Sequence, residues 1–400
     1  MLTLTDKTNC CGCQACANIC PKQCISMRED EEGFLYPHVD KTTCVNCGLC
    51  EKVCPILNKP QTYPVLETYA AKHNNPEIKL KSSSGGVFSA LAEVVLKEGG
   101  IVFGAVFDKG WNVVHTYAEN LEDLDKLRRS KYVQSNIGKT YQQAKQFLNQ
   151  DRKVLFTGTP CQIAGLRNYL GKEHENLLTA ELFCHGVPSP SVWQKFLTEN
   201  TQKEKIAAID FRHKRFGWDN SFLNITYKDG SCLPKVPFYL EPLKNWNNEI
   251  LLRCVRKLRF YISNLYERPS CHACHFKGLD KMADFTMGDL WGVRKTYPAQ
   301  YDKQGISVLL VNTPKAQTCF KKLALQAAPV DIQKVAQYNP YLLASVKPHP
   351  KRTEFFARYR QENFNKLVRQ LLNIKPAWIA IPVSIGRRAA GKIYHKIRGR

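Results

Sequence analysis

Apolar and polar positions divide this chain into a short first part and a longer second part. In the first part, Ile25–Met27 and Phe34–Val39 flank acidic residues and Gly33, which predicts a β-hairpin. From residue 67 onward, apolar runs of strand length alternate with stretches of helical period, which predicts a mixed or parallel sheet covered by helices. The predicted strands are Tyr69–Lys72, Ile101–Phe107, Asn112–Ala118, Val154–Thr157, Leu177–Phe183, Asp284–Met287 and Ile306–Val311, with β-rich stretches at Lys205–Phe211, Ser221–Tyr227 and Pro234–Tyr239. The predicted helices are Gly86–Lys97, Leu121–Arg128, Lys139–Asn149, Cys161–Leu170, Ser191–Asn200, Asn247–Tyr266 and Pro314–Ala327.

One cysteine motif occurs twice in the first part. The first copy is Cys10, Cys13, Cys16 and Cys20 followed by Pro21, and the second is Cys44, Cys47, Cys50 and Cys54 followed by Pro55. Each member of the second copy lies 34 positions after its counterpart. This is the spacing of bacterial two-cluster ferredoxins, in which the fourth cysteine of each run binds the other cluster.

The spacing therefore assigns four thiolates to each of two 4Fe-4S clusters. The first cluster would be bound by Cys10, Cys13, Cys16 and Cys54, and the second by Cys44, Cys47, Cys50 and Cys20. The alternatives are two zinc knuckles or a set of disulfides, but neither explains the repeated register or the two matched Cys-Pro pairs. Cys11 and Cys24 lie outside the register and are interpreted as non-ligands.

Composition supports a protein of a reducing compartment. Of the 17 cysteines in 400 residues, ten lie in the first 54 residues in metal-ligand order, which predicts a cytoplasmic protein rather than a secreted disulfide scaffold. Met1–Lys7 does not resemble an export signal. No apolar run approaches the roughly 20 residues that a membrane-spanning helix needs.

The net charge of +23 is concentrated toward the C-terminus. Residues 1–60 contain six Lys or Arg and seven Asp or Glu, whereas residues 347–400 contain fourteen Lys or Arg and only two acids. This basic extension could dock an acidic partner such as a ferredoxin. It could also attach the protein peripherally to a membrane surface, because Ile385, Ala389, Ile393 and Ile397 recur every four residues.

Four cysteines of the second part lie in settings typical of metal ligands. Cys161 follows a predicted strand, Cys184 ends the next one, and Cys271 and Cys274 form a C-x2-C pair. Because strand ends converge on one edge of such a sheet, these thiols could complete a third four-thiolate site.

Spacing alone leaves three alternatives open for these cysteines. Cys271 and Cys274 could bind zinc together with the neighbouring His272 and His275. Cys161 could be a low-pKa nucleophile at a helix N-terminus, with His185 as its base. Finally, Cys161 or Cys184 could be an ordinary buried thiol.

A glycine-rich turn, Lys81–Gly86, leads directly into a predicted helix. Glycines allow close backbone approach, and the free N–H groups at a helix start favour phosphate, which would suit the pyrophosphate of a flavin dinucleotide. The full dinucleotide fingerprint is missing, and a capped helix explains the turn equally well. Gly288–Gly292 is a similar glycine-flanked turn.

Taken in order, these landmarks resemble the family of coenzyme F420 hydrogenase and dehydrogenase beta subunits over roughly residues 67–330. The resemblance rests on Ser83–Val87, Lys131–Ser135, Gly158–Gln162, the Cys184 loop, the Cys271 and Cys274 pair, and Asp284–Gly292. An N-terminal two-cluster ferredoxin domain fused to this module also looks like a familiar arrangement in the family.

The resemblance implies an iron–sulfur flavoprotein. It implies a third 4Fe-4S cluster held by Cys161, Cys184, Cys271 and Cys274, and FAD approached by Ser84, Gly85, Gly86, Lys131, Tyr132, Gln134 and Ser135. The expected fold class is α+β, with a small two-cluster ferredoxin-like module followed by a mixed α/β flavin and iron–sulfur domain. The expected divisions are 1–60 for the ferredoxin domain, 67–150 and 151–345 for the N- and C-terminal regions of the beta subunit, and 346–400 for the basic extension.

The expected function is an oxidoreductase that passes electrons between 4Fe-4S clusters and FAD, and so to or from a two-electron organic acceptor. That acceptor would be coenzyme F420-like or another substrate, including one in glycan biosynthesis. The alternative is a non-catalytic electron-relay subunit of a larger redox complex. A nucleic-acid-binding role is disfavoured, because no recognisable motif accompanies the basic and aromatic run Phe211–Trp218. No general acid or base is assigned, although His185 and His213 are candidates.

Overall fold

The structure, a computed structural model, describes residues 6–233 and 264–373 of the chain. The strands in these residues are β1 (Ile25–Glu29), β2 (Leu35–Val39), β3 (Glu67–His73), β4 (Ile101–Phe107), β5 (Val113–Ala118), β6 (Val154–Gly158), β7 (Leu177–Leu182), β8 (Ile206–His213), β9 (Phe222–Tyr227), β10 (Cys232–Leu233), β11 (Phe285–Asp289), β12 (Ser307–Val311) and β13 (Leu325–Pro329). The α-helices in these residues are α1 (Ala15–Ile19), α2 (Leu49–Lys52), α3 (Pro76–Lys81), α4 (Val87–Lys97), α5 (Leu124–Leu127), α6 (Thr140–Asn149), α7 (Pro160–Leu170), α8 (Pro190–Asn200), α9 (Val293–Thr296), α10 (Pro314–Phe320), α11 (Ile332–Tyr338), α12 (Arg352–Arg358) and α13 (Phe364–Leu371).

The N-terminal module is a hairpin flanked by two tight cysteine loops. Strands β1 and β2 pair antiparallel over their full length, as the alternation of residues predicts. Left-handed backbone at Gly12 and Gln14, with φ of 71° and 63°, turns the first loop before α1 begins. Asn46 and Gly48 do the same before α2. Such turns let closely spaced thiols of one run face a common point, which a multi-iron group requires.

The second part is built on an eight-stranded mixed sheet in the order β13-β3-β12-β11-β7-β6-β4-β5. The central strands β4, β6, β7 and β11 pair in parallel, whereas β5 and β12 run antiparallel to their neighbours. Helices α6 and α7 contribute to the core on one face, and α4 and α10 contribute to the core on the other. Strand β6 is buried at every position because both faces are covered. The predicted α+β class is thus confirmed.

The clearest departure from the predicted elements lies at Pro314–Ala327. The helix ends at Phe320, and the chain then forms β13, which pairs antiparallel with β3 at the edge of the sheet. Alanine and glutamine in this stretch favour a helix locally, but pairing with the open edge of β3 outweighs that preference. The predicted helix Leu121–Arg128 is likewise reduced to Leu124–Leu127. Pro234–Tyr239 and most of Asn247–Tyr266 lie outside the described residues, and residues 264–266 form bends.

Part of the basic extension folds against the rest of the chain. Phe355, Tyr359, Leu367 and Leu371 of the α12–α13 region are buried in one apolar cluster with α8 and the β8–β9 pair. The periodic stretch Ile385–Ile397 lies outside the described residues. Within residues 6–233 and 264–373, no helix combines the length and the apolar composition needed to cross a bilayer.

Candidate iron–sulfur and cofactor site

The thiols predicted for the second cluster line one cavity at the outer end of the N-terminal module. They are Cys20, Cys44, Cys47 and Cys50, and Cys24 lines the same cavity, with its Sγ atom 3.3 Å from that of Cys20. Cys47 is exposed, and the side chain of the adjoining Val45 is 59% exposed. This end of the module therefore faces outward.

The thiols predicted for the first cluster lie deeper. Burial, and then the charges of Cys10 and Cys54, raise the pKa of Cys16 to about 12. Cys13 is buried against α7, where a Cβ atom added to Gly165 would lie 2.9 Å from the Cβ atom of Cys13. Buried thiolates repel one another, so several of them are stable together only when bound cations, such as the irons of a cluster, compensate their negative charge. This donor set therefore fits a 4Fe-4S cluster.

Four cysteines of the second part meet in a second cavity, called here the third site. Cys161 begins α7 directly after β6, and Cys184 follows the adjacent parallel strand β7, so both thiols lie at the carboxyl edge of the sheet. Cys271 and Cys274 come from the 3-10 turn Pro269–Ala273 and the residue that follows it. All four line the same cavity.

The environment of the third site is buried and thiol-rich. Hydrogen bonding with Cys11, followed by burial, raises the pKa of Cys161 well above its usual value, which contradicts the low-pKa nucleophile interpretation. The Nε2 atom of His185 lies 2.7 Å from Oδ1 of Asn264 rather than beside that thiol. Burial raises the pKa of Cys184 to about 12, and Lys277 opposes this effect. The set fits a 4Fe-4S cluster for the same reason as the first.

The zinc alternative involves His272 and His275. His272 Nδ1 lies 3.1 Å from the carbonyl oxygen of Val346, and His275 borders the cavity. In the described ranges, no three His, Cys, Asp or Glu side chains stand close enough together to hold a single metal ion.

Cys11 is the feature that the sequence interpretation missed. It is buried and lines the third site, although the neighbouring Cys10 belongs to the first set. Its thiol hydrogen-bonds with Cys13 of the first set and with Cys161 of the third site, so Cys11 lies between the two sites. The Cys10–Cys11 doublet was the available signal, but spacing could not reveal which way its second thiol points.

The first half of the predicted flavin set is packed closely against the sheet. Ser84 Oγ donates to the carbonyl of Ile306 at 2.9 Å, and the Gly85 N–H donates to Ser307 Oγ at 2.9 Å. A Cβ atom on Gly85 would lie 2.4 Å from the carbonyl oxygen of Ala71. Gly86, with φ of 94°, precedes α4. These glycines therefore allow close contact between the turn and strands β3 and β12.

The second half of the set forms a neighbouring loop. The Ser130 N–H donates to Ser83 Oγ at 2.8 Å, which joins this loop to the glycine-rich turn. Lys131 Nζ donates to three carbonyls of the α5 region, the shortest contact being 2.7 Å to Arg128. The Tyr132 hydroxyl accepts from Arg212 at 3.3 Å. Lys131 therefore joins the loop to the C-terminal end of α5.

The last two residues of the set reach toward the thiol sites. Gln134 Nε2 donates to the carbonyl of Cys11 at 3.0 Å. Ser135 Oγ lies 2.9 Å from Nδ1 of His115 and accepts from Gln162 at 2.9 Å, one position after Cys161. Burial lowers the pKa of His115 to about 4, so its ring is neutral at physiological pH. The loop therefore extends from the glycine-rich turn to the edge of the third site.

Comparison with known proteins gives family matches to three stretches of the chain. Residues 9–57 match the 4Fe-4S dicluster domain, and residues 68–141 and 151–336 match the N-terminal and C-terminal parts of the coenzyme F420 hydrogenase/dehydrogenase beta subunit. A coenzyme F420-dependent sulfite reductase from Methanocaldococcus jannaschii is 23% identical over 339 residues, which is 84% of this chain and 47% of that protein. The chain therefore spans about half the length of this curated relative.

A solved structure of the F420-reducing nickel–iron hydrogenase complex from Methanosarcina barkeri, derivatised with xenon, contains a similar chain. It is 20% identical, with a TM-score of 0.43, and the match covers 78% of this chain and 94% of that chain. The two beta-subunit matches together cover more than half of the sequence. The chain belongs to the coenzyme F420 hydrogenase/dehydrogenase beta-subunit family, with a 4Fe-4S dicluster domain at its N-terminus.

Proposed function

We propose that this protein is an iron–sulfur flavoprotein oxidoreductase with three 4Fe-4S clusters and FAD. The first cluster would be held by Cys10, Cys13, Cys16 and Cys54, the second by Cys20, Cys44, Cys47 and Cys50, and the third by Cys161, Cys184, Cys271 and Cys274. The observation that carries the proposal is the position of Cys11, which lines the third site and hydrogen-bonds with Cys13 of the first set. Three thiol sites joined in this way form a continuous series.

The exposure of the three sites supports an order of electron transfer. The second site faces outward at Cys47, the first is buried against α7, and the third lies at the carboxyl edge of the sheet. A one-electron protein carrier such as a ferredoxin would exchange electrons at the outer end. Burial of the inner thiols excludes water and so limits side reactions with oxidants.

FAD would bind at the carboxyl edge, beside the glycine-rich turn and the loop from Lys131 to Ser135. When bound, FAD couples one-electron carriers to a two-electron hydride transfer. Ser84, Gly85 and Lys131 would hold the two loops in place through the contacts described above, while Ser135 joins this edge to His115. The acceptor would be coenzyme F420-like or another organic molecule, including one in glycan biosynthesis. A cytoplasmic location, with peripheral membrane contact through residues beyond 373, belongs to the same proposal.

A second candidate is an electron-relay subunit that transfers electrons to another enzyme without FAD. This relay candidate is favoured by three hydrogen bonds within the protein. Ser84 Oγ and Lys131 Nζ donate to backbone carbonyl oxygens, and the Gly85 N–H donates to a serine hydroxyl, so these groups have protein partners without a cofactor. The same family relationship accommodates both candidates.

Iron, acid-labile sulfide and flavin analysis of anaerobically purified protein distinguishes these candidates. We expect about twelve irons and one FAD per chain, since each of three clusters carries four irons. About twelve irons without flavin would support the relay subunit. About eight irons would contradict the third cluster. The Cys274→Ser variant should lose about four irons, whereas Cys232→Ser, which alters a cysteine outside all three sites, should lose none.

A further inference from the structure

Arg268 is a fully buried cation that contacts the first thiol site. Its Nε atom donates to the carbonyl of Cys10 at 2.8 Å, and its Nη2 atom lies 3.5 Å from the Sγ atom of the same cysteine. Nη1 donates to Gln134 Oε1 at 2.9 Å, and Nη2 also donates to the carbonyl of Leu35 at 3.1 Å. The planar guanidinium group thus joins the cysteine loop, the β1–β2 hairpin and the loop preceding Ser135.

The rest of the pocket contains aromatic rings. The guanidinium carbon of Arg268 lies 4.1 Å from the ring centroid of Tyr36 and 5.4 Å from that of Phe34. In the described part of the chain, no carboxylate forms an ion pair with this arginine; the adjacent Glu267 carboxylate has no hydrogen-bond partner. A buried charge without an opposite charge is costly, so the pocket favours an anionic group beside the guanidinium, and the Cys10 thiolate and whatever it binds lie in that position.

The same residue is also joined to the third site. The Arg268 carbonyl accepts the N–H of Cys271 at 2.9 Å, which fixes the turn that carries Cys271 and Cys274. Gln134, the partner of Nη1, holds the carbonyl of Cys11. The carbonyl of Cys10 is therefore held by Arg268, and the carbonyl of Cys11 is held by Gln134, the partner of Arg268.

We propose that Arg268 is a positioning residue that raises the reduction potential of the first cluster and fixes the Cys10–Cys11 path to the third site. The inference rests on the proposed function, because it requires a cluster at Cys10. A 4Fe-4S cluster with four thiolate ligands is anionic and becomes more so when it takes up one electron, with no bond formed or broken. A fixed neighbouring cation stabilises the reduced state more than the oxidised state.

The test is redox titration of the full-length anaerobic protein followed by electron paramagnetic resonance. In Arg268→Gln, we expect the midpoint potential of the first cluster to become more negative, that of the third to shift less in the same direction because Arg268 also interacts electrostatically with Cys161 and Cys271, and that of the second to stay unchanged. Arg268→Lys retains the charge and should show a smaller shift. Arg352→Gln is the matched control, because Arg352 contacts Glu32 of the same hairpin but places no charge beside Cys10. Its potentials should equal those of the unaltered protein.

A second variant keeps the test decisive if Arg268→Gln does not fold. Gln134→Glu leaves Arg268 in place but adds a carboxylate beside Nη1, so it should shift the same potential in the same direction. Unchanged potentials in a variant with full iron content, or an equal shift of all three, would overturn the inference while leaving the proposed clusters intact. An unaltered protein that lacks iron at the first site would instead overturn the proposed function, and this inference with it.

Discussion

Two buried acids near the third site show how differently the same residue type can be accommodated. Glu267 and Glu181 are 0% and 1% exposed, and burial raises the pKa of each to about 7. Glu181 accepts from the N–H of Met282 at 3.1 Å and lies 3.9 Å from Lys281 Nζ. Among the described residues, neither carboxylate oxygen of Glu267 has a side-chain hydrogen-bond partner, and burial outweighs the nearby backbone groups and Arg352 in setting its pKa. Glu181 is thus paired with a buried cation, whereas Glu267 destabilises the folded protein whenever it ionises.

Glu267→Gln should therefore stabilise the protein increasingly as the pH rises. The pKa of Glu267 in the folded protein, about 7, lies above the ordinary glutamate value of 4.5. The stability that the neutral acid contributes is therefore fully present below pH 4.5 and is lost as the pH rises through 7. The gain from Gln should be about 1 kcal/mol larger at pH 8 than at pH 6, measured from thermal midpoints of anaerobic protein.

Glu98→Gln is the matched control for this prediction. Hydrogen bonds with Lys153 and then Lys322 lower the pKa of Glu98, so this acid is ionised at both pH values and its replacement should change the midpoint equally at pH 6 and pH 8. A Glu267→Gln protein whose midpoint follows that of the unaltered protein at pH 6 and pH 8 alike would contradict the assignment of Glu267 as an unpaired buried acid.

At the scale of elements, α7 connects the thiol sites. Its first turn carries Cys161, and its middle contacts the first cysteine loop at Gly165. A capping box of Thr159 and Gln162 fixes where the helix begins, and therefore where the Cys161 thiol lies. The absence of a side chain at residue 165 is what allows the helix and the loop to approach.

Gly165→Ala should disturb the first site. The added Cβ atom would lie 2.9 Å from Cys13 Cβ and 3.1 Å from the Tyr141 hydroxyl oxygen, closer than normal contact. Such overpacking costs about 1–3 kcal/mol, and we expect loss of up to about four irons per chain.

Gly171→Ala, at the C-terminal end of the same helix, separates this effect from general destabilisation. It has open space around its Cβ position but a φ of 70°, so it should lower the thermal midpoint modestly and keep its iron. Full iron content and unchanged stability in Gly165→Ala would contradict the close contact.

The sequence predicts well those elements whose ends are set by residues close to them in the chain. Strand Ile101–Phe107 is reproduced at both ends because its apolar run ends at a glycine pair and a polar turn. Strand β13 could not be predicted, because only the open edge of β3, distant in sequence, induces it. Likewise, repeated spacing indicates which cysteines belong together, but the direction of the Cys11 thiol depends on the docking of α7 and the Pro269–Ala273 turn.

At the scale of the whole molecule, the exposed thiol site and the excess positive charge belong to different parts of the sequence. The outer rim of the second site carries exposed apolar residues, with Val45 at 59% and Leu49 at 36% exposure. Residues 1–60 contain six Lys or Arg and seven Asp or Glu, whereas about half of the excess positive charge belongs to residues 347–400. A carrier that docks at the outer end would therefore rely on apolar contact more than on the net charge of the protein.

Acidic substitutions on this rim should slow electron delivery by a protein carrier. For the double variant Val45→Glu and Leu49→Glu, we expect roughly tenfold slower cluster reduction by reduced ferredoxin, equivalent to about 1.4 kcal/mol. Stopped-flow absorbance measures this rate, and reduction by dithionite should be unaffected because a small reductant needs no docking surface.

Leu80→Glu is the control for this prediction, since Leu80 is 56% exposed on α3 rather than at the rim. Equal slowing in Leu80→Glu, or slowing with dithionite as well, would argue against docking at the outer end.

The N-terminal module is held to the larger part by more than its linker. Arg352 forms a two-point ion pair with Glu32 at the hairpin turn, and Gly12 leaves room for Gln134 and Arg268. A foreign domain grafted here would need a glycine at the position of Gly12 and an acid at that of Glu32, so replacement of this module is a problem of interface design rather than of linker length.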